Sequence, residues 1–143
     1  LQLFSAKLKW KYVGVLHEYP ESNKELLTYG LIENVYIDSN SEKSNRNSGD
    51  LKIKYLNDAE LLLKGLVDEP NNKRYYFYLA NSYRDGEEYG KAIEIYKKRA
   101  NMGGWDEEVY FSLYSIGQCK QIAGYNFENE IFWICIFGLL IKV

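Results

Sequence analysis

His17 is the only histidine of the chain, and Glu18 follows it directly. An imidazole beside a carboxylate can move a proton or help to hold a cation. A lone histidine, however, leaves no His-to-His spacing for a metal site. Cys119 and Cys135 are the only thiols. Neither has metal-ligand spacing, and a Cys–His nucleophilic pair would have to bring one of them from far along the chain onto His17. They are expected to be free, buried thiols of a reducing compartment, which places the protein in the cytoplasm. No Walker-type loop or GxGxxG run is present to cradle a phosphate. No Asp-x-Asp pair is present to hold a divalent cation on a nucleotide diphosphate. On these residues alone the chain is not a complete enzyme.

Composition narrows the classes further. Of 143 residues, 46% are apolar and 16% aromatic, enough for a packed core. A formal charge of −2 and a pI near 5.5 argue against nucleic acid as a partner. Residues 131–143 are almost entirely apolar but number only 13, short of the roughly 20 that a membrane-spanning helix needs. Hence no transmembrane segment is expected. The chain begins with Leu1 rather than methionine, so it is expected to be a piece of a longer product, and its first residues are too few and too mixed to read as a signal core.

The elements that position these groups fall into four stretches. In residues 3–19, Leu8, Trp10 and Tyr12 alternate with Lys7, Lys9 and Lys11. That period of two predicts a half-buried strand with a lysine-rich outer edge that discourages edge pairing. If the alternation survives Gly14, His17 lies on the lysine side, where an anion-facing surface is the alternative. Pro20 is expected to break the strand, and residues 21–32 could form a short helix. Residues 39–50 are polar and aperiodic, a linker. Residues 51–130 carry helical periodicity, and residues 131–143 form the apolar tail, either a cap over the last helix or an improvised terminus.

Within the helical stretch, Ala59, Leu62, Leu63 and Leu66 mark one face of a helix that ends before Pro70. Tyr76, Leu79, Ala80 and Tyr83 follow the i, i+3, i+4, i+7 pattern of a second. Asp85-Gly86 is expected to end it through a left-handed glycine. Tyr89, Ala92, Ile93 and Tyr96 mark a third helix, with Lys97, Lys98 and Arg99 complementing its dipole and Gly103-Gly104 stopping it. A fourth starts near Glu107, with Asp106, Glu107 and Glu108 suited to its amino end. Ala80 and Ala92 are the small residues that allow close helix approach. Tyr76, Phe77 and Leu79 recur as Tyr110, Phe111 and Leu113, an offset of 34 residues (110 − 76).

That period between helix–turn–helix units resembles the tetratricopeptide repeat (TPR) family. Tyr76, Leu79-Ala80, Tyr83, Gly86, Tyr89, Ala92 and Tyr96 stand where that family carries its signature residues, and Pro70 closes the preceding unit. Two positions depart: Arg99 stands in place of a small residue, and Gly103-Gly104 in place of the closing proline. The resemblance implies a mainly α fold, an α-solenoid of antiparallel helix pairs that acts as an interaction scaffold. Its groove would be lined by Arg74, Phe77, Asn81 and Arg84 from one first-type helix and by Glu108, Phe111 and Ser115 from the next. Phe77 stands where chaperone-binding members grip a C-terminal carboxylate with lysine, so binding of a chaperone tail is not expected.

A second resemblance concerns the amino-terminal stretch. Trp10-Lys11-Tyr12-Val13-Gly14-Val15-Leu16-His17-Glu18-Tyr19 resembles the carboxy-terminal end of the catalytic domain of family 2 glycosyltransferases, which carries a Tyr-x-Gly-Val-x-His-Glu stretch. One branch continues through a Ser-rich loop into a Lys-Tyr-Leu-x-Asp-Ala helix and TPR units, matched here by Lys54-Tyr55-Leu56-Asn57-Asp58-Ala59. Residues 1–38 would then be a short β-containing remnant of a GT-A-type domain. By the same resemblance His17 would help to hold a metal–diphosphate group, supported by Glu18. Mn or Mg and a sugar-nucleotide are implied only for the intact parent enzyme, because the nucleotide-binding half and its acidic motif are not in this sequence.

Three functions follow as expectations. The chain is a truncated or split C-terminal part of such an enzyme, inactive alone, whose repeats bind a protein or an acceptor. Alternatively it is a stand-alone TPR adaptor that takes a protein or peptide in its groove, or a gene remnant without function. An upstream catalytic chain or a second copy of this chain are the other partners considered.

Overall fold

In the computed structural model, residues 5–24 and 50–125 are described. The chain divides into two units, Leu1–Gly49 and Asp50–Val143. The described elements are two strands and four helices, so the chain is mainly helical with a small antiparallel sheet. Residues 25–38, the greater part of the linker at 39–49, and the apolar tail lie outside the described residues, as does Cys135.

In the first unit, β1 (Trp10–Val13) pairs antiparallel with β2 (Tyr19–Ser22), with Trp10 opposite Ser22 and Val13 opposite Tyr19. The single extended stretch expected over residues 3–19 is instead folded back on itself. Gly14 at φ +107° and His17 at φ +53° turn the chain between the strands, so the lysine alternation does not run on to His17. Pro20 does not break a strand but sits inside β2, opposite Tyr12. A two-stranded ribbon has a free outer edge on each strand, and there proline's missing N–H costs nothing. Glu21 and Ser22 belong to β2 rather than to a helix. Tyr12 is 69% exposed, so the predicted half-buried face holds at Trp10 and fails at Tyr12. The Trp10 indole donates to the carbonyl of Ser5 at 2.9 Å, and Lys11 pairs with Glu21 across the ribbon at 2.9 Å.

In the second unit, α1 (Leu51–Asp68), α2 (Lys73–Asp85), α3 (Tyr89–Asn101) and α4 (Asp106–Ile122) follow one another through short connections. Each packs on the helix before it, and α2 also touches α4. Lys52 at the start of α1 meets Glu87 just beyond α2, Tyr76 at the start of α2 meets Lys98 at the end of α3, and Ala92 early in α3 clusters with Cys119 late in α4, so neighbouring helices run antiparallel. Asp50 caps α1 by accepting from the Lys52 N–H, and Asn72 caps α2 by accepting from the Tyr75 N–H. α4 has no side-chain cap, and of its three amino-terminal acids only Asp106 and Glu107 face solvent.

Ala80, Ala92, Ile93, Tyr96 and Cys119 form the core cluster, with Tyr83, Tyr89, Ile95 and Ile116 packed against it. Both alanines are fully buried, as close helix approach requires. On α1, Ala59, Leu62 and Gly65 are buried, whereas Leu63, expected on the same face, is 44% exposed. The buried set on α1 recurs on α3 as Ile93, Tyr96 and Arg99, each 34 positions later (93 − 59).

Gly86 does not end α2 by a left-handed turn. Its φ is −83°, and Glu87 takes the positive value, +61°. The glycine is required by space: a Cβ there would lie 2.9 Å from Leu56 Cδ2 and 3.0 Å from the Ser82 carbonyl. Gly103 and Gly104, by contrast, are left-handed at φ +59° and +97°.

Candidate functional site

Four of the seven residues predicted for a groove are drawn together where α2 meets α4. Phe77 and Phe111 meet edge to face with ring centroids 5.6 Å apart. The Arg84 guanidinium lies 5.7 Å from the Phe111 ring, a cation–π distance. Arg84 also donates to Asp85 at 2.8 Å and to the Tyr96 hydroxyl at 3.2 Å. Tyr96 in turn donates to Asn81 Oδ1 at 2.6 Å. Phe77, Asn81 and Arg84 are half-buried and Phe111 is 37% exposed, so the patch is firmly seated yet open on one side.

Electrostatics hold this patch in one protonation state. Burial raises the Tyr96 phenol to about 12, against an opposing pull from Arg84. Burial also works against the Arg84 charge, but Asp85 and Tyr96 outweigh it, so the guanidinium stays firmly cationic. Cys119, a buried free thiol, is pushed up by burial and eased down by Arg84. It is therefore a packed apolar group and not a nucleophile.

The other three groove candidates go elsewhere. Glu108 is buried, accepting from Arg99 at 2.8 Å and 3.1 Å on its Oε2 atom. It cannot line an open groove, because the helix turns it inward to neutralise a buried cation. Ser115 is fully buried beside the Tyr96 phenol, so it does not line an open groove either. Arg74 is exposed at the start of α2, with its guanidinium held by Tyr78 through a 2.8 Å hydrogen bond.

Arg99 lies in the last turn of α3 as the sequence suggests, but its side chain turns inward. It is 1% exposed, bound to Glu108 and to the Gly103 carbonyl at 2.9 Å. Tyr96 was expected only as core, and its role in fixing Asn81 and Arg84 was not foreseen. The available signal was its hydroxyl: a buried tyrosine in place of phenylalanine needs a polar partner.

In the first unit, His17 and Glu18 are exposed in the connection between the strands. A shallow depression of about 320 Å³ on the ribbon is lined by Lys9, Trp10, Lys11, Glu21, Ser22 and Asn23. His17 and Glu18 are not part of it. Among the described residues no cluster of three or more metal-ligating side chains occurs. No helix among them is long and apolar enough to cross a membrane. Comparison with known proteins returns no matching family, no matching curated protein and no matching solved structure.

Proposed function

We propose that the helical unit is a TPR-like interaction module that binds an extended polypeptide along the face shared by α2 and α4. The observation that carries this reading is the patch of Phe77, Phe111, Arg84 and Asn81, which joins two helices of the same type. Aromatic rings supply apolar contact at low entropic cost, and a fixed arginine with an adjacent amide supplies donors for peptide carbonyls. Tyr96 occupies the Asn81 carbonyl, which fixes that side chain with its NH2 group available.

Selection from a random peptide library on the full chain tests it. Enriched peptides should lose about tenfold or more in affinity, roughly 1.4 kcal/mol, in Phe77→Ala or Phe111→Ala. Failure to enrich any sequence, or affinity indifferent to both changes, refutes the reading.

The origin of the module is a separate proposal. It is the C-terminal part of a family 2 glycosyltransferase, carried by the resemblance of residues 10–19 and 54–59 and inactive without an upstream catalytic chain. Incubation of this chain alone with sugar-nucleotides and Mn or Mg should give neither transfer nor hydrolysis. Turnover that disappears in His17→Ala would mean that the chain is itself the enzyme.

A further inference from the structure

The chain leaves α4 by the same turn that it uses to leave α2. After α2, the N–H groups of Gly86, Glu87 and Glu88 donate to the carbonyls of Ser82, Arg84 and Tyr83 at 2.9, 3.0 and 2.8 Å. After α4, those of Ala123, Gly124 and Tyr125 donate to Cys119, Gln121 and Lys120 at 3.0, 3.2 and 3.0 Å. The middle residue is left-handed in both turns, Glu87 at φ +61° and Gly124 at φ +73°. The residue before it caps the helix at φ −83° in the first turn and −77° in the second. Each bond of one turn therefore recurs 37 positions later (124 − 87). Such a closure ties off the last carbonyls of a helix and sets the direction in which the chain departs. After α2 that direction returns the chain as α3 over Tyr76 and Ala80. The repeated turn starts the chain beyond Tyr125 on the same heading.

The face that lies in its way is apolar, and the described residues leave it open. Tyr76 and Ala80 are 6% and 0% exposed beneath α3, whereas Tyr110 and Tyr114, 34 positions later, are 48% and 45% exposed. The two rings are stacked, with centroids 6.4 Å apart and planes within 11° of parallel. The residues that follow suit this face. α3 brings Lys98 to the Tyr76 ring at 4.4 Å and Ala92 into one cluster with Ala80. Carried through the repeated turn, those pairings set residues 132–134 opposite Tyr114 and residues 136–138 opposite Tyr110. The first group is Phe-Trp-Ile and the second Ile-Phe-Gly, with no polar side chain in either. The polar residues Asn126 to Glu130 fall opposite the carboxy-terminal turns of α4, which carry Lys120 rather than a tyrosine. Residues 126–143 number 18, against 17 in α4. At about 1.5 Å per residue a helix of that length reaches back along the whole of α4.

We propose that the Tyr110–Tyr114 face of α4 is the docking site of the chain's own residues 126–143, with the apolar run 131–138 lying antiparallel across the two rings. The contact completes a second antiparallel pair after α2–α3 and closes this face to other molecules. It is separate from the Phe77–Phe111 patch, and neither proposal depends on the other.

The test uses the full chain with p-benzoylphenylalanine in place of Tyr114, irradiated in dilute solution, with the captured peptide mapped by mass spectrometry. A cross-link within one chain, to residues 131–138, is expected. The same photoprobe at Lys91, on the exposed side of α3, should give none to that segment. Hydrogen exchange on an otherwise unaltered chain supplies a second check. Trp133→Asp should speed exchange of the amides at 109–116 by about tenfold and leave those of α1 and α2 at parental rates, because it removes a local cover and no other contact. Phe77→Ala should leave the cross-link in place, which separates this face from the peptide patch. A cross-linked dimer overturns the proposal by naming a second copy as the occupant. Capture of a segment outside residues 126–143, or no capture, overturns it by leaving the face to some other molecule. Exchange unchanged by Trp133→Asp overturns it as well.

Discussion

Arg99 on α3 and Glu108 on α4 form a buried ion pair, 2.8 Å from Nη2 to Oε2, with side chains 1% and 9% exposed. The same guanidinium reaches the Gly103 carbonyl in the connection between the two helices. One side chain of α3 thus holds both α4 and the turn that leads into it. A pair so far from water is a registering device more than a source of stability, because desolvation offsets much of its attraction.

Removing one partner should therefore be far worse than removing both. Glu108→Ala leaves a buried, unpaired cation and should cost about 3–5 kcal/mol. The double change Arg99→Met, Glu108→Leu should recover most of that loss. Denaturant unfolding of the three chains checks it, and a double variant no more stable than Glu108→Ala would contradict this account.

Gly86 and Gly103 should respond to alanine for different reasons. Gly86→Ala places a methyl against Leu56 and should cost about 1–3 kcal/mol by overpacking. Leu56→Ala, made in that background, should be milder than Leu56→Ala alone. Gly103→Ala meets nothing within 4 Å, and its cost, about 1–2 kcal/mol, comes from the left-handed backbone. No change at Leu56 should relieve it.

Ala92→Leu should destabilise by about 1–3 kcal/mol, since Ala92 is fully buried in the core with Ala80. Lys91→Leu, one position away and exposed, should change stability by no more than about 0.5 kcal/mol. Equal losses in denaturant unfolding would mean that α3 faces the other way.

Tyr96 predicts an alkaline limit. Its phenol ionises at about 12 in the folded chain against an ordinary 10.0. Between those values the unfolded chain has released the proton and the folded chain still holds it, so stability falls as pH rises from 10 towards 12. At about 1.4 kcal/mol per unit, the loss approaches roughly 3 kcal/mol. Tyr96→Phe should start lower by about 1 kcal/mol, for lost hydrogen bonds to Asn81 and Arg84, and lack this part of the decline. Parallel curves for the two chains over that range would contradict it.

Helix periodicity, the small residues Ala80 and Ala92, the 34-residue offset and the stop at Gly103-Gly104 were all legible in the chain, because each is a local property of 3.6-residue spacing or of backbone sterics. Polar residues were not legible in the same way. Lys97 to Arg99 read as last-turn cations and Asp106 to Glu108 as first-turn acids, which holds for Lys98, Arg99 and all three acids. Only the packing of α3 on α4 selected Arg99 and Glu108 to turn inward and neutralise one another. Gly86 read as a turn glycine, yet the approach of Leu56 from α1 is what excludes a side chain there.

Tyr76 and Tyr110 mark the limit most clearly. They occupy the same place in the repeat, and nothing in their neighbouring residues distinguishes a core ring from a surface one. One is 6% exposed and the other 48%, because α3 covers the first and no described helix covers the second. Spacing determines which face of a helix is apolar. Whether that face becomes core or docking surface depends on what packs against it, and that is a property of tertiary structure alone.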